Sequence, residues 1–108
     1  MKLTDLCWEP GYHHQYGVRY EEADITELLN LPDEVLAVTI RKYPYRYTIA
    51  AEFWAGEEYG RDGDADWLAP CSLIRIVAKI PYRNTEVTWA DIKEQAEHCV
   101  RRVLDFGL

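Results

Sequence analysis

Apolar and polar residues alternate along several segments of the chain, which is the pattern of strands that bury one face. The alternation spans 35–42 and 45–54, and Pro44 interrupts it between the two segments, so they predict a β-hairpin. The segment 71–80 is the most apolar, and we expect it to lie in the centre of a sheet. The side chains predicted to share the buried faces are Leu36, Val38, Ile40, Tyr47, Ile49, Ala51, Phe53, Ile74, Ile76, Ala78 and Ile80.

The segment before this hairpin predicts a further strand and a short helix. Every second residue from Tyr12 to Tyr20 carries a ring or a branched apolar side chain, which is the spacing of one face of a strand. Asp24 then precedes 25–29, a sequence typical of a capped helix of one or two turns near residue 25. Pro32 is expected to end it, because the residue before a proline avoids the helical region.

Apolar residues recur at helical spacing from Trp89 to Asp105 and predict a long C-terminal helix. Thr88 stands at the N-cap position and Asp91 follows three residues later, which is the spacing of a capping box. A helix of this length, roughly 25 Å, covers one face of a small antiparallel sheet. We therefore predict an α+β fold in which the long helix packs on one face of an antiparallel sheet of three to four strands.

The length of 108 residues fits one domain, 1–108, that buries its own core. Cys7, Cys71 and Cys99 are odd in number and widely spaced, so we expect free thiols rather than disulfides or a zinc site. No apolar run approaches the roughly 18 residues of a membrane span. Asp5 and Glu9 stand where a signal peptide needs an apolar stretch. The sequence thus predicts a cytoplasmic protein with no membrane partner.

The formal net charge of −7 bears on the choice of partner. A negative overall field disfavours direct binding to nucleic acid and attracts a basic protein. The charge is also uneven, since acid-rich stretches at 1–34 and 52–66 flank a basic stretch at 35–51.

The chain lacks the short motifs that mark common enzyme families, such as the phosphate-binding glycine loop and the nucleophile elbow. The segment 62–66 begins like a calcium loop, but Trp67 and Leu73 occupy the positions that need glycine and an acidic ligand. His13 and His14 are adjacent, so on a strand their rings point to opposite faces and do not share a metal. We expect a non-enzymatic protein that has no cofactor and no metal.

The predicted loop 55–70 and its flanks combine carboxylates with aromatic residues. Rings bury large areas in an interface, and carboxylates attract a basic partner. We therefore predict a module that binds a larger protein with a basic surface. An alternative that the sequence leaves open is that Trp54 and Trp67 cap the core while the acids confer solubility. The candidate partner-binding residues are Trp54, Glu57, Glu58, Tyr59, Asp62, Asp64, Asp66 and Trp67.

In size and charge the chain is similar to small acidic antagonists such as anti-CRISPR, anti-restriction and nuclease-immunity proteins. These proteins occupy the basic, nucleic-acid-binding surface of a larger protein. The analogy implies that carboxylates at 57–66 and 21–27 take the place of phosphates and engage arginine and lysine on the target. Because many unrelated domains share this size and charge, the analogy supplies a hypothesis of function and no family.

A second hypothesis rests on the segment 41–47, in which cations alternate with rings. Such a segment is typical of surfaces that bind RNA or single-stranded DNA. The competing interpretation is that tyrosines suit strands and that exposed cations protect a sheet edge. A third hypothesis is a homo-oligomeric structural protein, and a homodimer remains open. The residues of the nucleic-acid hypothesis are Arg41, Lys42, Tyr43, Tyr45, Arg46 and Tyr47.

Overall fold

The computed structural model describes residues 1–54, 72–82 and 86–106, which form an antiparallel sheet and a long helix. The predicted α+β class, the long C-terminal helix on one face and the short helical turn near residue 25 are confirmed. The sheet has five strands rather than three to four, and each strand pairs with the next one along the chain. The elements are β1 (Glu9–His13), β2 (Val18–Asp24), β3 (Val35–Lys42), β4 (Arg46–Trp54), β5 (Ser72–Pro81), α1 (Trp89–Phe106) and two 3-10 turns, Leu3–Asp5 and Thr26–Leu28.

The additional strand arises where the sequence predicts a single strand over 12–20. The chain instead turns at 14–17 and forms the hairpin of β1 and β2, in which His13 lies opposite Val18. The backbone N–H of Gly17 donates to the carbonyl of His13 at 2.8 Å, and Gly17 adopts a φ of 62° that glycine accepts without strain. The alternation of side chains continues through this turn, which is why the pattern alone does not reveal it.

The hairpin of β3 and β4 agrees with the prediction. Tyr47, Ile49, Ala51 and Phe53 of β4 are all buried on the side that faces the helix. Leu36 is an exception to the predicted face, since it is 37% exposed. It occupies a bulge in β3, where the ladder passes over one residue between Val35 and Ala37 and so shifts the alternation.

The predicted central position of β5 is wrong, because β5 lies at the edge of the sheet that the described residues form. Ala78 lies opposite Ile49 on the buried face, but the next pair joins Ile76 to Ala50, so Val77 is an extra residue in β5. A one-residue shift moves the following side chains to the opposite face. Ile74 and Ile76, which the sequence places in the core, are therefore 67% and 59% exposed.

Helix α1 begins at a capping box, as the sequence predicts. The N–H of Asp91 donates to Thr88 Oγ1 at 3.3 Å, and the N–H of Thr88 donates to Asp91 Oδ2 at 3.0 Å. The backbone hydrogen bond from Thr88 lowers the pKa of the Asp91 carboxyl, since it stabilises the charged form. Ile92, Ala96 and Val100 of the predicted stripe are fully buried.

The core fills the space between the sheet and α1, and the segment 24–31 contributes to it. Asp24 Oδ1 accepts hydrogen bonds from the N–H and the hydroxyl of Thr26, at 2.9 and 2.6 Å. Thr26 Oγ1 in turn accepts from the N–H of Val38 at 2.9 Å, which fixes the turn against β3. Ile25 and Leu29 on either side of this turn are buried. α1 and this segment thus cover the core on the helix side of the sheet, whereas no helix within residues 1–54, 72–82 and 86–106 lies on the opposite side.

The different burial of Ile40 in β3 and Ile76 in β5 predicts different effects of their substitution on stability. Replacing Ile40, which is fully buried, by alanine should lower the free energy of unfolding by about 2–5 kcal/mol. The same substitution at Ile76 should change it by about 0.5 kcal/mol or less, because little contact is lost there. Urea denaturation of both variants measures the difference. Equal losses would mean that Ile76 lies in the core.

Candidate functional site

The sheet face opposite α1, called the open face below, has an apolar end at β4 and β5. Ile74 lies opposite Glu52 and Ile76 lies opposite Ala50, and side chains that face one another across a ladder share a face. Trp54, the last residue of β4, belongs to the same alternation and is 37% exposed. We define the open-face patch as Ala37, Ala50, Glu52, Trp54, Ile74 and Ile76.

The two edges of the sheet differ in how well they are protected. Pro10 lies within β1 and has no N–H to offer to another strand, which limits pairing at that edge. β5 is longer, with ten residues, and among the described residues no strand pairs with its outer side. Long edge strands with exposed apolar side chains are sites of association with other chains. The open-face patch lies along this less protected edge.

Carboxylates border the patch. Glu52 lies within it, and the carbonyl of Glu34 accepts a hydrogen bond from the N–H of Trp54 at 3.0 Å, which brings exposed Glu34 to the tryptophan. Asp33, also exposed, precedes Glu34. The cations of β5 lie elsewhere, because Arg75 is opposite Ala51 on the helix side and Lys79 is opposite Thr48, beyond the bulge. The patch therefore combines exposed apolar side chains with acidic neighbours.

Trp54 is the member of the predicted partner-binding surface that the structure describes. It ends β4 and is 37% exposed, and its backbone N–H donates to the Glu34 carbonyl. Its role as an aromatic anchor stays a prediction. The other predicted members lie outside the described residues: Glu57, Glu58, Tyr59, Asp62, Asp64, Asp66 and Trp67. The calcium-like segment 62–66 and Cys71 lie outside them as well.

The opposite end of the open face carries a cluster of rings around Arg41. The guanidinium carbon of Arg41 lies 4.5 Å from the centre of the Tyr20 ring, and Arg41 Nε lies 3.3 Å from Glu22 Oε2. Arg41 Nη1 lies 3.3 Å from His13 Nε2, and it donates to the Tyr43 hydroxyl at 3.4 Å. We call His13, Tyr20, Glu22, Arg41 and Tyr43 the arginine cluster.

The contacts of the arginine cluster join three strands. The rings of Tyr20 and Tyr43 lie 5.4 Å apart, and that of His13 lies 5.6 Å from Tyr20 and is stacked at 6.3 Å from Tyr43. Burial by itself lowers the pKa of the Arg41 guanidinium, but the hydrogen bond to Tyr43 and the carboxylate of Glu22 outweigh it, so the pKa is raised. Arg41 therefore stays charged and its charge is partly balanced within the chain.

The residues of the nucleic-acid hypothesis are divided between the two sides of the sheet. Arg41 and Tyr43 belong to the arginine cluster, and the guanidinium carbon of Arg46 lies 5.9 Å from the centre of the Tyr43 ring. Tyr45 is 83% exposed at the hairpin tip. Lys42 lies opposite Tyr47, which is buried on the helix side.

Sequence reasoning did not identify three members of the arginine cluster, namely His13, Tyr20 and Glu22. They are far from Arg41 in sequence and become its neighbours only because β1, β2 and β3 pair in order. The one signal in the sequence is the row of rings at 12–20, which the sequence analysis explains as one face of a single strand. Within the described ranges, no group of three or more histidine, cysteine, aspartate or glutamate residues is arranged to hold a metal ion.

Helical segments within the described part of the chain fall short of the length and hydropathy that a bilayer crossing requires. Comparison with known proteins found no matching family model, no matching curated protein and no matching solved structure. Function is therefore inferred from the residues of this chain alone.

The packing of the arginine cluster predicts the effect of a substitution at Gly11. A Cβ atom at this position would overlap the Tyr20 ring, so Gly11→Ala must displace the ring from Arg41. Overpacking of this kind costs about 1–3 kcal/mol of unfolding free energy. In a Tyr20→Ala background the same change should be neutral or slightly stabilising, because the obstacle is gone and alanine restricts the unfolded chain. Chemical denaturation of the four proteins tests this, and equal costs in both backgrounds would contradict it.

Proposed function

We propose that the chain is a protein-binding module whose open-face patch docks on a larger protein with a basic surface. The observation that carries the proposal is the exposure of Ile74 and Ile76 on an edge strand of the sheet. Isoleucine is usually buried, and a contiguous exposed apolar patch is typical of an interaction site. Complete burial of one isoleucine contributes about 1.5–3 kcal/mol, so a partner that covers both gains a substantial part of a binding free energy.

Charge supports a basic partner. The chain carries a net charge of −7, and Glu52 lies inside the open-face patch with Glu34 at its border. Carboxylates around an apolar centre accelerate encounter with a positive surface and reject acidic ones. The same net charge opposes the pairing of two copies through this patch, which argues against a homo-oligomer as the principal state.

The finer form of the proposal is an antagonist that occupies the nucleic-acid-binding surface of its target. Exposed carboxylates are frequent in the described segment from β2 to the start of β3, where Glu21, Asp24, Glu27, Asp33 and Glu34 all reach solvent. A series of exposed carboxylates without intervening cations offers arginine and lysine the same kind of acceptor as a phosphate backbone. Size and charge give the analogy with anti-CRISPR, anti-restriction and immunity proteins, and the exposed carboxylates are consistent with it.

The binding proposal is tested by removing the apolar side chains of the patch. The double variant Ile74→Ser/Ile76→Ser should fold normally and should bind the partner at least about tenfold more weakly, because two central anchors are lost. The partner is isolated with the tagged wild-type chain from the cells that encode it, and dissociation constants are then measured with the purified pair at two salt concentrations. We expect a basic protein whose affinity falls as salt increases.

A matched control removes two rings elsewhere that are even more exposed than the isoleucines, in the variant Tyr45→Ser/Phe106→Ser. This variant should bind the partner like the wild type. The proposal fails if the patch variant retains full affinity or if both variants lose it equally. It also fails if the wild type is a dimer that the patch variant dissociates, because the patch would then serve a second copy of the chain.

A second candidate function is the binding of single-stranded nucleic acid at the tip of the β3–β4 hairpin. The exposed ring of Tyr45 and the exposed guanidinium of Arg46 favour it, since one stacks on a base and the other contacts a phosphate. The pairing of Arg41 with Glu22 weighs against it, because that guanidinium is already engaged.

Binding of labelled RNA and DNA oligonucleotides at low salt separates the two functions. The protein-binding proposal expects no complex, because the negative net charge repels phosphates. A complex that Tyr45→Ser/Arg46→Gln abolishes, and that Arg102→Gln on the exposed side of α1 leaves intact, would favour the nucleic-acid function instead. Gel shift or fluorescence anisotropy provides the measurement.

A further inference from the structure

A cleft of about 740 Å³ lies on the helix side of the sheet, away from the open-face patch. It is bounded by the N-terminal segment, the last residue of β3, the start of β4, and the residues that lead into α1. Its volume falls within the range of small-molecule binding sites in proteins, roughly 300–1,000 Å³. The residues on which its chemistry depends are Trp8, Lys42, Tyr47, Tyr82, Glu86 and Trp89.

Aromatic rings form the walls of this cleft, and packing holds them in place. The rings of Tyr47 and Tyr82 meet edge to face, with centres 5.0 Å apart, and the Trp8 ring lies 6.5 Å from Tyr47. Trp8 Nε1 donates a hydrogen bond to the carbonyl of Leu3 at 2.9 Å, which fixes the indole. Tyr47 is buried, so it supports the two rings that reach the cleft. Walls of this kind suit a planar ligand without a large loss of side-chain freedom.

Tyr82 contributes a neutral polar group to the walls. Burial raises the pKa of its phenol, and the neighbouring Tyr47 raises it further, so Tyr82 stays protonated throughout the physiological range. Its hydroxyl therefore keeps its proton, and a side-chain hydrogen bond with Tyr47 engages it. Tyr82 thus adds an uncharged, positioned ring to the walls.

The charged groups of the cleft are mainly basic, in contrast to the chain as a whole. Lys2 and Lys42 line it, and Glu86 is the acid among the described lining residues. Although Glu21 lies opposite Lys42 in the ladder, Lys42 makes no salt bridge to any described residue. A second cavity of about 400 Å³ shares Lys42 and Tyr82 with the cleft and adds one cation and one acid, Arg19 and Glu21. The ammonium of Lys42 is thus placed beside the rings, with no salt bridge among the described residues, where it can pair with an anion.

From this arrangement we propose that the cleft binds a small planar aromatic anion. Its ring system lies against Trp8 and Tyr82, which Tyr47 supports from below, and its carboxylate, sulfonate or phosphate pairs with Lys42. The aromatic walls account for the ring, and the lysine, which has no salt bridge among the described residues, accounts for the anionic group. This site is separate from the open-face patch and does not depend on the proposed protein binding.

Two fluorescent probes that differ in one anionic group test the proposal. The first is 8-anilinonaphthalene-1-sulfonate, and the second is N-phenyl-1-naphthylamine, which has the same ring system without the sulfonate. Both should bind saturably to the full chain. Lys42→Met should weaken binding of the sulfonate probe about tenfold, because a charge-assisted contact is lost, and should leave the neutral probe nearly unchanged. Tyr82→Leu should weaken both probes, because it removes a wall.

Two control variants show where the probes bind. Lys79→Met removes an exposed lysine of β5 and should not affect either probe. Ile74→Ser/Ile76→Ser should also leave both dissociation constants unchanged, since the open-face patch is on the other side of the sheet. The proposal is overturned if the sulfonate probe does not bind, if Lys42→Met and Lys79→Met have the same effect, or if the patch variant removes the signal.

Discussion

The extra residue at Val77 is the constraint on which the arrangement of this molecule depends. It lets Ala78 and Ile80 face the helix while it turns Ile74 and Ile76 to the opposite side of the sheet. A regular ladder would point all four side chains at α1, and the open face would have no apolar end. One inserted residue thus decides which half of β5 belongs to the core and which half belongs to the surface. The open-face patch exists because of it.

The two ends of the sheet are stabilised by different means. α1 contacts β5, and the 3-10 turn at Thr26–Leu28 contacts β3, so apolar burial holds that part of the sheet. The hairpin of β1 and β2 instead has the arginine cluster, in which one guanidinium contacts two rings, an imidazole and a carboxylate. The molecule is elongated, with extents of 54 × 31 × 23 Å. The arginine cluster thus holds together the end of the sheet that lies farther from α1.

Local patterns in the sequence predict those parts of the fold that local forces determine. The capping box at Thr88, the stripe of α1 and the buried face of β4 follow from spacing alone. The bulge at Val77 does not, because the segment 73–80 carries apolar residues on both faces and the alternation is compatible with either register. The turn at 14–17 is missed for a similar reason. The arginine cluster and the helix-side cleft unite residues from distant strands, so only the order of pairing brings them together.

The asymmetry between the edges of the sheet limits how this chain assembles. An endless ribbon of copies requires that the last strand of one molecule accept the first strand of the next, so both borders must be competent for pairing. Pro10 interrupts the donors along β1, whereas β5 has no such obstacle among the residues described. A ribbon in which β5 of each copy pairs with β1 of the next is therefore disfavoured at every junction by the same proline.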